Sequence, residues 1–241
     1  MQKSNKYSFQ SRVRFSEVDH TKRITLPAVI NYFQDCSTFQ SEDIGYGFDF
    51  LTAKKRAWIL SSWQVVVERY PKIGEEITVS TWATGFKGML GQRNFCMEDK
   101  EGRKVAYANS LWVYMDTEKG RPVRPDQEET DAYGIGEALS MDYASRKIAL
   151  PENAEILAKF PVKKYHIDTN EHVNNCQYVQ MAMEVLPDEA DIRQVRVEYK
   201  KSAVYGDRIV PKIAVTDERT VVELCDEADS PFAIAEFVKS K

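Results

Sequence analysis

The chain has 241 residues, of which 43 % are hydrophobic and 29 % charged, with a formal net charge of −4. Composition and length suit a globular protein with one large domain or two smaller ones. The acidic balance argues against bulk binding of nucleic acid. No stretch approaches the roughly 20 apolar residues of a membrane helix, and the N-terminus has no apolar signal segment. The four separated cysteines lack zinc-site spacing, so we expect buried thiols in a cytoplasmic protein.

Two long helices are predicted, one in each half of the chain. The first begins at Thr25-Leu26-Pro27, where proline suits the first turn, and ends near Gly45. The second runs from about Val173 to Leu186 and is closed by Pro187. Alternating apolar residues predict strands in segments 58–70, 76–84, 104–116, 194–204, 208–215, 220–226 and 232–238.

Two further segments lack a regular pattern. Residues 121–155 are rich in Asp, Glu, Gly and Pro, with a possible short helix, and the connector between the two halves is placed at 131–155. Segment Gly85–Gly91 contains three glycines without the GxxxxGK spacing of a phosphate loop. It is therefore predicted to be a flexible turn or the lip of a pocket.

The two halves can be aligned with each other. In this alignment Glu17 stands opposite Asp168, Asp19 opposite Asn170, and Thr21 opposite His172. Segment 71–75 stands opposite 203–207, with strands on either side. The order of strand, helix and antiparallel meander thus runs twice, which predicts an α+β fold in which a curled antiparallel sheet wraps a long helix in each half.

Polar residues crowd the start of the second helix, in IDTNEHVNNCQYVQ (167–180). One interpretation is a helix cap, since Asp, Thr and Asn are all good N-cap residues. The other is a catalytic site. Free N–H groups at a helix start can stabilise an oxyanion, and His172 can transfer protons or position water, oriented by Asp168 or Asn170. This set suits hydrolysis of an activated acyl group by water, and no GxSxG motif of a serine hydrolase occurs.

Three segments resemble the acyl-acyl-carrier-protein thioesterases. DTNEHVNNCQY is similar to the family's Asp-x-Asn-x-His-Val-Asn-Asn signature, FSEVDHTKRITLPAVINYFQDCSTFQSEDIGYG to its N-terminal helix region, and VRVEYKKSAVYGD to the strand and turn after the catalytic helix. The resemblance runs from about residue 7 to the end. It implies two tandem hot-dog domains, an N-terminal one (1–130) that supplies the acyl pocket and a catalytic C-terminal one (156–241). It also implies release of fatty acid from acyl-carrier protein, without metal or cofactor, by catalytic residues Asp168, Asn170 and His172.

The sequence departs from the family pattern at two positions. Ser202 stands where plant members have a glutamate, so it is at most a secondary site position, since serine cannot replace that glutamate as a base. The base is then Asp168, or His172 with Asp168. Gln177 stands where many members have lysine.

Several other residues have both a structural and a functional interpretation. Trp58, Trp63, Phe33 and Met89 fit either an acyl tunnel or the core. Three basic clusters are either solvated charge or a surface that steers a carrier protein: 54–56, 163–164 and 200–201. His20 is expected to have a structural or surface role and His166 to face a strand neighbour.

Three other functions remain open. They are an acyl-CoA thioesterase of the same fold, a hydratase or dehydratase, and a non-catalytic acyl-binding protein. Since two fused hot-dog domains already imitate the common dimer, a monomer and a homodimer both fit. The length of the preferred acyl chain is not given by the sequence.

Overall fold

The structure is a computed structural model that describes residues 6–187 and 192–239. The chain forms two compact units. Unit 1 comprises the chain up to Ser61 together with Val65–Tyr143, and unit 2 comprises Ser62–Gln64 together with the chain from Ala144 onward. The predicted connector, 131–155, therefore falls partly in each unit. Each unit contains a helix on an antiparallel sheet, in agreement with the predicted α+β fold.

In unit 1 the strands follow the spatial order β1-β3-β4-β5-β2, and β6 pairs with β5. Its elements are β1 (Tyr7–Arg12), α1 (Leu26–Asp43), α2 (Phe48–Lys54), β2 (Arg56–Val67), β3 (Glu76–Lys87), β4 (Leu90–Asp99), β5 (Lys104–Asp116), β6 (Arg121–Pro122) and α3 (Gln127–Tyr133). A short 3-10 helix, Phe15–Glu17, precedes α1.

The first predicted helix is confirmed as α1. Thr25 is its N-cap, and the Thr25 hydroxyl accepts the backbone N–H of Ala28 at 3.3 Å. Its buried side chains recur every three or four residues and face the sheet. Phe33, for example, is fully buried against Phe95 of β4, with ring centroids 5.3 Å apart. Burial of one such side chain stabilises the fold by about 1.5–3 kcal/mol.

The glycine segment 85–91 is a tight hairpin rather than a loose lip. Lys87 of β3 pairs directly with Leu90 of β4, so only Gly88 and Met89 form the turn. Gly88 has a φ of 63°, the left-handed conformation that such two-residue turns need and that glycine adopts without strain. The turn was predicted, but the strands extend further into the segment than its glycines suggest.

In unit 2 the strand order is β9-β12-β11-β10-β7, and β8 also pairs with β10. The elements are β7 (Glu155–Ile156), β8 (Phe160–Pro161), α4 (Asn175–Met183), β9 (Ile192–Tyr199), β10 (Arg208–Val215), β11 (Thr220–Cys225) and β12 (Pro231–Lys239). A 3-10 helix, Lys164–His166, precedes α4. The second predicted helix is confirmed, but α4 has nine residues and is shorter than predicted at both ends. It packs on β11 and β12.

The segment after α3 is held to the outer surface of the unit 1 sheet. Asn94 lies in β4 and is completely buried, and its side-chain oxygen accepts the N–H of Leu139 at 3.0 Å and the hydroxyl of Tyr143 at 3.1 Å. The indole N–H of Trp82 donates to the carbonyl of Glu137 at 2.7 Å. These bonds fix residues 137–143 to unit 1.

None of the helices within 6–187 and 192–239 has both the length and the apolar character required to cross a lipid bilayer. All four cysteines are buried thiols, as predicted.

Candidate active site

The predicted site residues lie in one tight turn of unit 2, residues 168–172. The backbone N–H of Asp168 donates to the carbonyl of His172 at 2.8 Å and closes the turn. Inside it, the Asp168 carboxylate accepts the N–H of Asn170 at 2.8 Å. Glu171 adopts a positive φ of 61°. The pairing of Ile167 with Val173 fixes both ends. The structure therefore brings the backbones of Asp168, Asn170 and His172 together.

Unit 1 contains the same turn before α1. The N–H of Asp19 donates to the carbonyl of Arg23 at 3.0 Å, and the Asp19 carboxylate accepts the N–H of Thr21 at 2.8 Å. Lys22 has a positive φ of 63°. By these bonds, Asp19 is equivalent to Asp168, Thr21 to Asn170 and Arg23 to His172.

The predicted alignment at this turn is therefore two residues out of register. Glu17 stands opposite His166, not Asp168, because each accepts a backbone N–H from three residues earlier. The Glu17 carboxylate accepts the N–H of Arg14 at 2.8 Å, and Nδ1 of His166 accepts the N–H of Lys163 at 3.0 Å. Matching acidic residues in the sequence gave the wrong register, since the two caps, Thr25 and Asn174, fix the true one.

The other predicted alignment, 71–75 with 203–207, is confirmed. The N–H of Val173 donates to the carbonyl of Ala203 at 2.9 Å, as the N–H of Ile24 does to Pro71 at 2.8 Å. In each unit a carboxylate then closes the following turn. Asp207 accepts the N–H of Val204 at 2.9 Å, and Glu75 accepts that of Lys72, also at 2.9 Å.

The N-terminus of α4 follows the turn directly. Asn174 is the N-cap, and its side-chain oxygen accepts the N–H of Cys176 at 2.9 Å. The N–H of Gln177 donates to the Asn174 carbonyl at 2.9 Å. Among the described residues, the N–H of Asn175 has no acceptor, so it is the first-turn donor available to a ligand. The helix dipole adds a partial positive charge at this point.

Two tyrosines that sequence reasoning missed hold this helix start in place. The Tyr199 hydroxyl donates to the carbonyl of Asn175 at 3.0 Å, and the Tyr178 hydroxyl accepts the N–H of Ala203 at 2.7 Å. Burial raises the pKa of Tyr178 to about 12. Tyr199 is the tyrosine of the EYKK segment, and Tyr178 follows the signature motif, but their bonds depend on the fold and leave no sequence pattern.

The three predicted side chains differ in environment. Asp168 is half-buried, whereas Asn170 and His172 are exposed. Within the described part of the chain, neither the His172 imidazole nor the Asn170 amide makes a hydrogen bond, and Asp168 and His172 are not bonded to each other through their side chains. Asp168 therefore has a structural role in the turn, while Asn170 and His172 are free to contact a ligand.

The two positions that depart from the family pattern flank this turn. Ser202 is exposed, and its hydroxyl has no partner among the described residues. The next residue, Ala203, is completely buried and bonded to Val173. Gln177 is half-buried in α4.

The other two histidines do not join the turn. His166 is buried, and its Nδ1 accepts a backbone N–H within its own 3-10 turn; that it faces a strand neighbour stays a prediction. Burial and the nearby Lys163 lower the pKa of His166. His20 is exposed, in line with a surface role. No group of three or more His, Cys, Asp or Glu within the described ranges is arranged to hold a metal ion.

Two of the three basic clusters are ion-paired. Lys54 contacts Asp126 and Glu129, and Lys200 and Lys201 contact Glu198 and Asp226, respectively. In the third cluster, Lys163 and Lys164 make no ion pair with any described residue. They lie immediately before the turn, beside the exposed rings of Tyr165 and Tyr205.

The proposed tunnel residues are spread over different environments. Phe33 and Trp63 are buried, Trp58 is half-buried against the ring of Tyr114, and Met89 is exposed at the hairpin tip. Ordinary core packing accounts for Phe33, while Met89 is not a core residue.

Comparison with solved structures defines the fold as that of the tandem hot-dog thioesterases. An acyl-ACP thioesterase from Bacteroides thetaiotaomicron superposes with a TM-score of 0.90 at 23 % identity, covering 98 % of each chain. The 12:0-ACP thioesterase from Umbellularia californica gives a TM-score of 0.88 at 22 % identity, also over 98 % of each chain.

The chain belongs to the acyl-ACP thioesterase family. Residues 4–133 match the acyl-ACP thioesterase N-terminal domain and residues 150–231 match the C-terminal domain. Oleoyl-acyl carrier protein thioesterase 1 from Arabidopsis thaliana is 23 % identical over 86 % of this chain and 63 % of its own length. A dodecanoyl-[acyl-carrier-protein] hydrolase from Umbellularia californica is 30 % identical over 73 % of this chain and 50 % of its own. The chain thus spans about half to two-thirds of the length of these curated relatives.

Proposed function

We propose that this protein hydrolyses the thioester of acyl-acyl-carrier protein and releases a free fatty acid, and that the turn 168–172 with the start of α4 is its active site. The observation that carries the proposal is the comparison of the two turns. The two turns have the same backbone hydrogen bonds and an aspartate at the same position. Unit 2, however, has Asn170 and His172 where unit 1 has Thr21 and Arg23. The fold does not require this difference, so a chemical role accounts for it better.

The chemistry needs a base, an oxyanion donor and an acid for the leaving group. In the proposed reaction His172 removes a proton from water as the water oxygen bonds to the thioester carbon. The N–H of Asn175 and the amide of Asn170 donate to the oxyanion that forms. Collapse breaks the carbon–sulfur bond, and His172 returns the proton to the leaving thiolate. The carboxylate of Asp168, in the same turn, favours the transient imidazolium.

Two observations support acyl-carrier protein as the carrier. The names of the relatives specify this carrier. Lys163 and Lys164, next to the turn, are not neutralised by any described carboxylate, so they are available to an anionic partner. The four buried thiols support a reducing compartment such as the cytoplasm.

Release of free thiol from acyl-acyl-carrier protein tests the proposal. We compare wild type with His172→Ala and with Arg23→Ala, which changes the equivalent position of unit 1. Because the His172 side chain bonds to no described residue, its loss leaves stability unchanged. We expect kcat to fall at least about 100-fold in His172→Ala, the lower range for a general acid–base group, and to change less than about two-fold in Arg23→Ala.

Equal rates for wild type and His172→Ala would remove His172 from the reaction. The same enzymes on acyl-CoA of the same chain length identify the carrier. A kcat/KM that is higher on acyl-CoA would favour the alternative, an acyl-CoA thioesterase.

A further inference from the structure

Arg93 is a buried cation in the interior of unit 1. It lies on β4, on the surface that faces α1, and only 9 % of the residue is exposed. Its Nη1 donates to the side-chain oxygen of Gln40 on α1 and to the hydroxyl of Thr81 on β3, the latter at 3.2 Å. The ring of Tyr133 lies 5.3 Å from the guanidinium carbon.

No described carboxylate pairs with this guanidinium. Other buried charges of unit 1 have ionic partners. Glu129 contacts Lys54, and Asp116 lies 3.0 Å from Arg56. Burial lowers the pKa of Arg93, since it penalises the charged form. Burying a charge without an ionic partner costs free energy, so Arg93 lowers the stability of the folded protein.

The bonding pattern leaves one edge of the guanidinium unused. Both acceptors, Gln40 and Thr81, are on Nη1. Within the described ranges, neither Nε nor Nη2 has an acceptor. Both nitrogens nevertheless keep some access to solvent. Together these two nitrogens offer parallel N–H groups, the geometry that binds a planar carboxylate through both oxygens.

The neighbours of Arg93 in the sheet have small side chains. Its cross-strand partners are Ala83 on β3 and Ser110 on β5, both small. The Ser110 hydroxyl donates to the Arg93 carbonyl at 3.3 Å and accepts the indole N–H of Trp112 at 2.7 Å, so it does not compete for the guanidinium.

We propose that Arg93 forms a second binding position, inside unit 1, for a carboxylate carried at the far end of an acyl chain. The unused edge of the guanidinium binds the carboxylate, and Gln40 and Thr81 hold the guanidinium in place. The acyl part of this inference rests on the proposed thioesterase function; the carboxylate part rests on the charge and geometry of Arg93 alone.

The probes for this position are monomethyl esters of saturated dicarboxylic acids, each paired with the methyl ester of the fatty acid of equal length. Binding to the full chain is measured as Kd, and independently as the rise in Tm. In wild type we expect the carboxylate probe to bind at least about ten-fold more tightly than its partner, the ratio that one charge-assisted hydrogen bond gives.

Three variants separate recognition from folding. Arg93→Met keeps an unbranched side chain and removes the guanidinium with its charge, and we expect the preference to disappear. Gln40→Glu places a carboxylate on Nη1, so it neutralises the cation, abolishes the preference and does not lower Tm. Arg124→Met removes an exposed arginine of the same unit, and we expect the preference to remain.

The inference is overturned if the ratio of the Kd values for the two probes is the same in wild type, Arg93→Met and Gln40→Glu. This holds whatever the thioesterase assay gives. If no acyl thioester is hydrolysed but the preference depends on Arg93 and Gln40, the proposed function fails and the carboxylate position stands.

Discussion

Asp168 and Asp19 allow the structural and catalytic roles of one residue type to be separated within a single chain. Each carboxylate closes the same turn, but the fifth residue of the turn is His172 in unit 2 and Arg23 in unit 1, where the exposed His20 instead follows Asp19 directly. We therefore predict different outcomes for the same change, Asp→Asn, at the two positions. Asparagine keeps a side-chain oxygen that can accept the backbone N–H, so the turn survives while the negative charge is lost.

The structure sets the size of each effect. Asp168 accepts one backbone N–H at 2.8 Å, whereas Asp19 accepts the N–H and the hydroxyl of Thr21, at 2.8 and 2.6 Å, and the N–H of Arg23 at 3.3 Å. Since both turns are partly solvated, each Asp→Asn change should cost about 1 kcal/mol or less, with the larger cost at Asp19. If the charge of Asp168 supports His172, the kcat of Asp168→Asn should be about 100-fold lower than that of wild type. The kcat of Asp19→Asn should differ from wild type by less than about two-fold.

Two measurements on each variant decide between the roles. The denaturant midpoint with its slope gives the change in stability, and thiol release under saturating substrate gives kcat. If Asp168→Asn keeps the wild-type kcat, the carboxylate acts only in the turn. If Asp19→Asn loses as much kcat as Asp168→Asn, the effect comes from the fold, and the catalytic role of Asp168 is refuted.

Two further predictions concern charge. Lys164→Glu should raise KM for acyl-acyl-carrier protein about three- to five-fold, and this effect should weaken as the salt concentration rises. Lys87→Glu makes the same change of charge on an exposed hairpin of unit 1 and should leave KM unchanged. Similar shifts of KM in both variants would contradict a docking role for Lys164. Because the pKa of His166 is lowered in the folded protein, the unfolded chain takes up this proton first, so the stability of wild type should fall as pH drops below about 6.5. His166→Gln should remove this part of the decline, measured as the difference in denaturant midpoint between neutral and mildly acidic solution, and an unchanged decline would show that His166 is not its source.

Local patterns were sufficient to predict both helices, most strands and the turn pair 71–75 and 203–207. Thr25 and Pro27 begin α1 through interactions within a few residues, which sequence alone reveals. Helix α2 was missed because it has only seven residues and because its N-cap, Gly47, has no side chain that could accept a capping hydrogen bond. Helix α4 was predicted too long, since Val173 has helix-compatible character but pairs with Ile167 instead.

The polar segment of the candidate site was predicted from the sequence, but the details of its turn were not. The crowding of Asp, Asn and His marked the turn, yet the same residues could be caps, and Asp168 does bond within the turn. Arg93 and Glu129 were not singled out, because a charged residue in a sequence is normally solvent-exposed. Their burial depends on Gln40, Thr81, Tyr114 and Lys54, which are distant in the chain.

The duplicated turn separates what folds the segment from what reacts. Peptide groups and one aspartate close it, and its third and fifth residues contribute only backbone atoms to that closure in unit 2. Side chains at these two positions can therefore be exchanged during evolution, or by design, at little cost in stability. A duplicated gene with such a turn in each half carries a spare scaffold on which new side-chain chemistry can be tried while the other half is preserved.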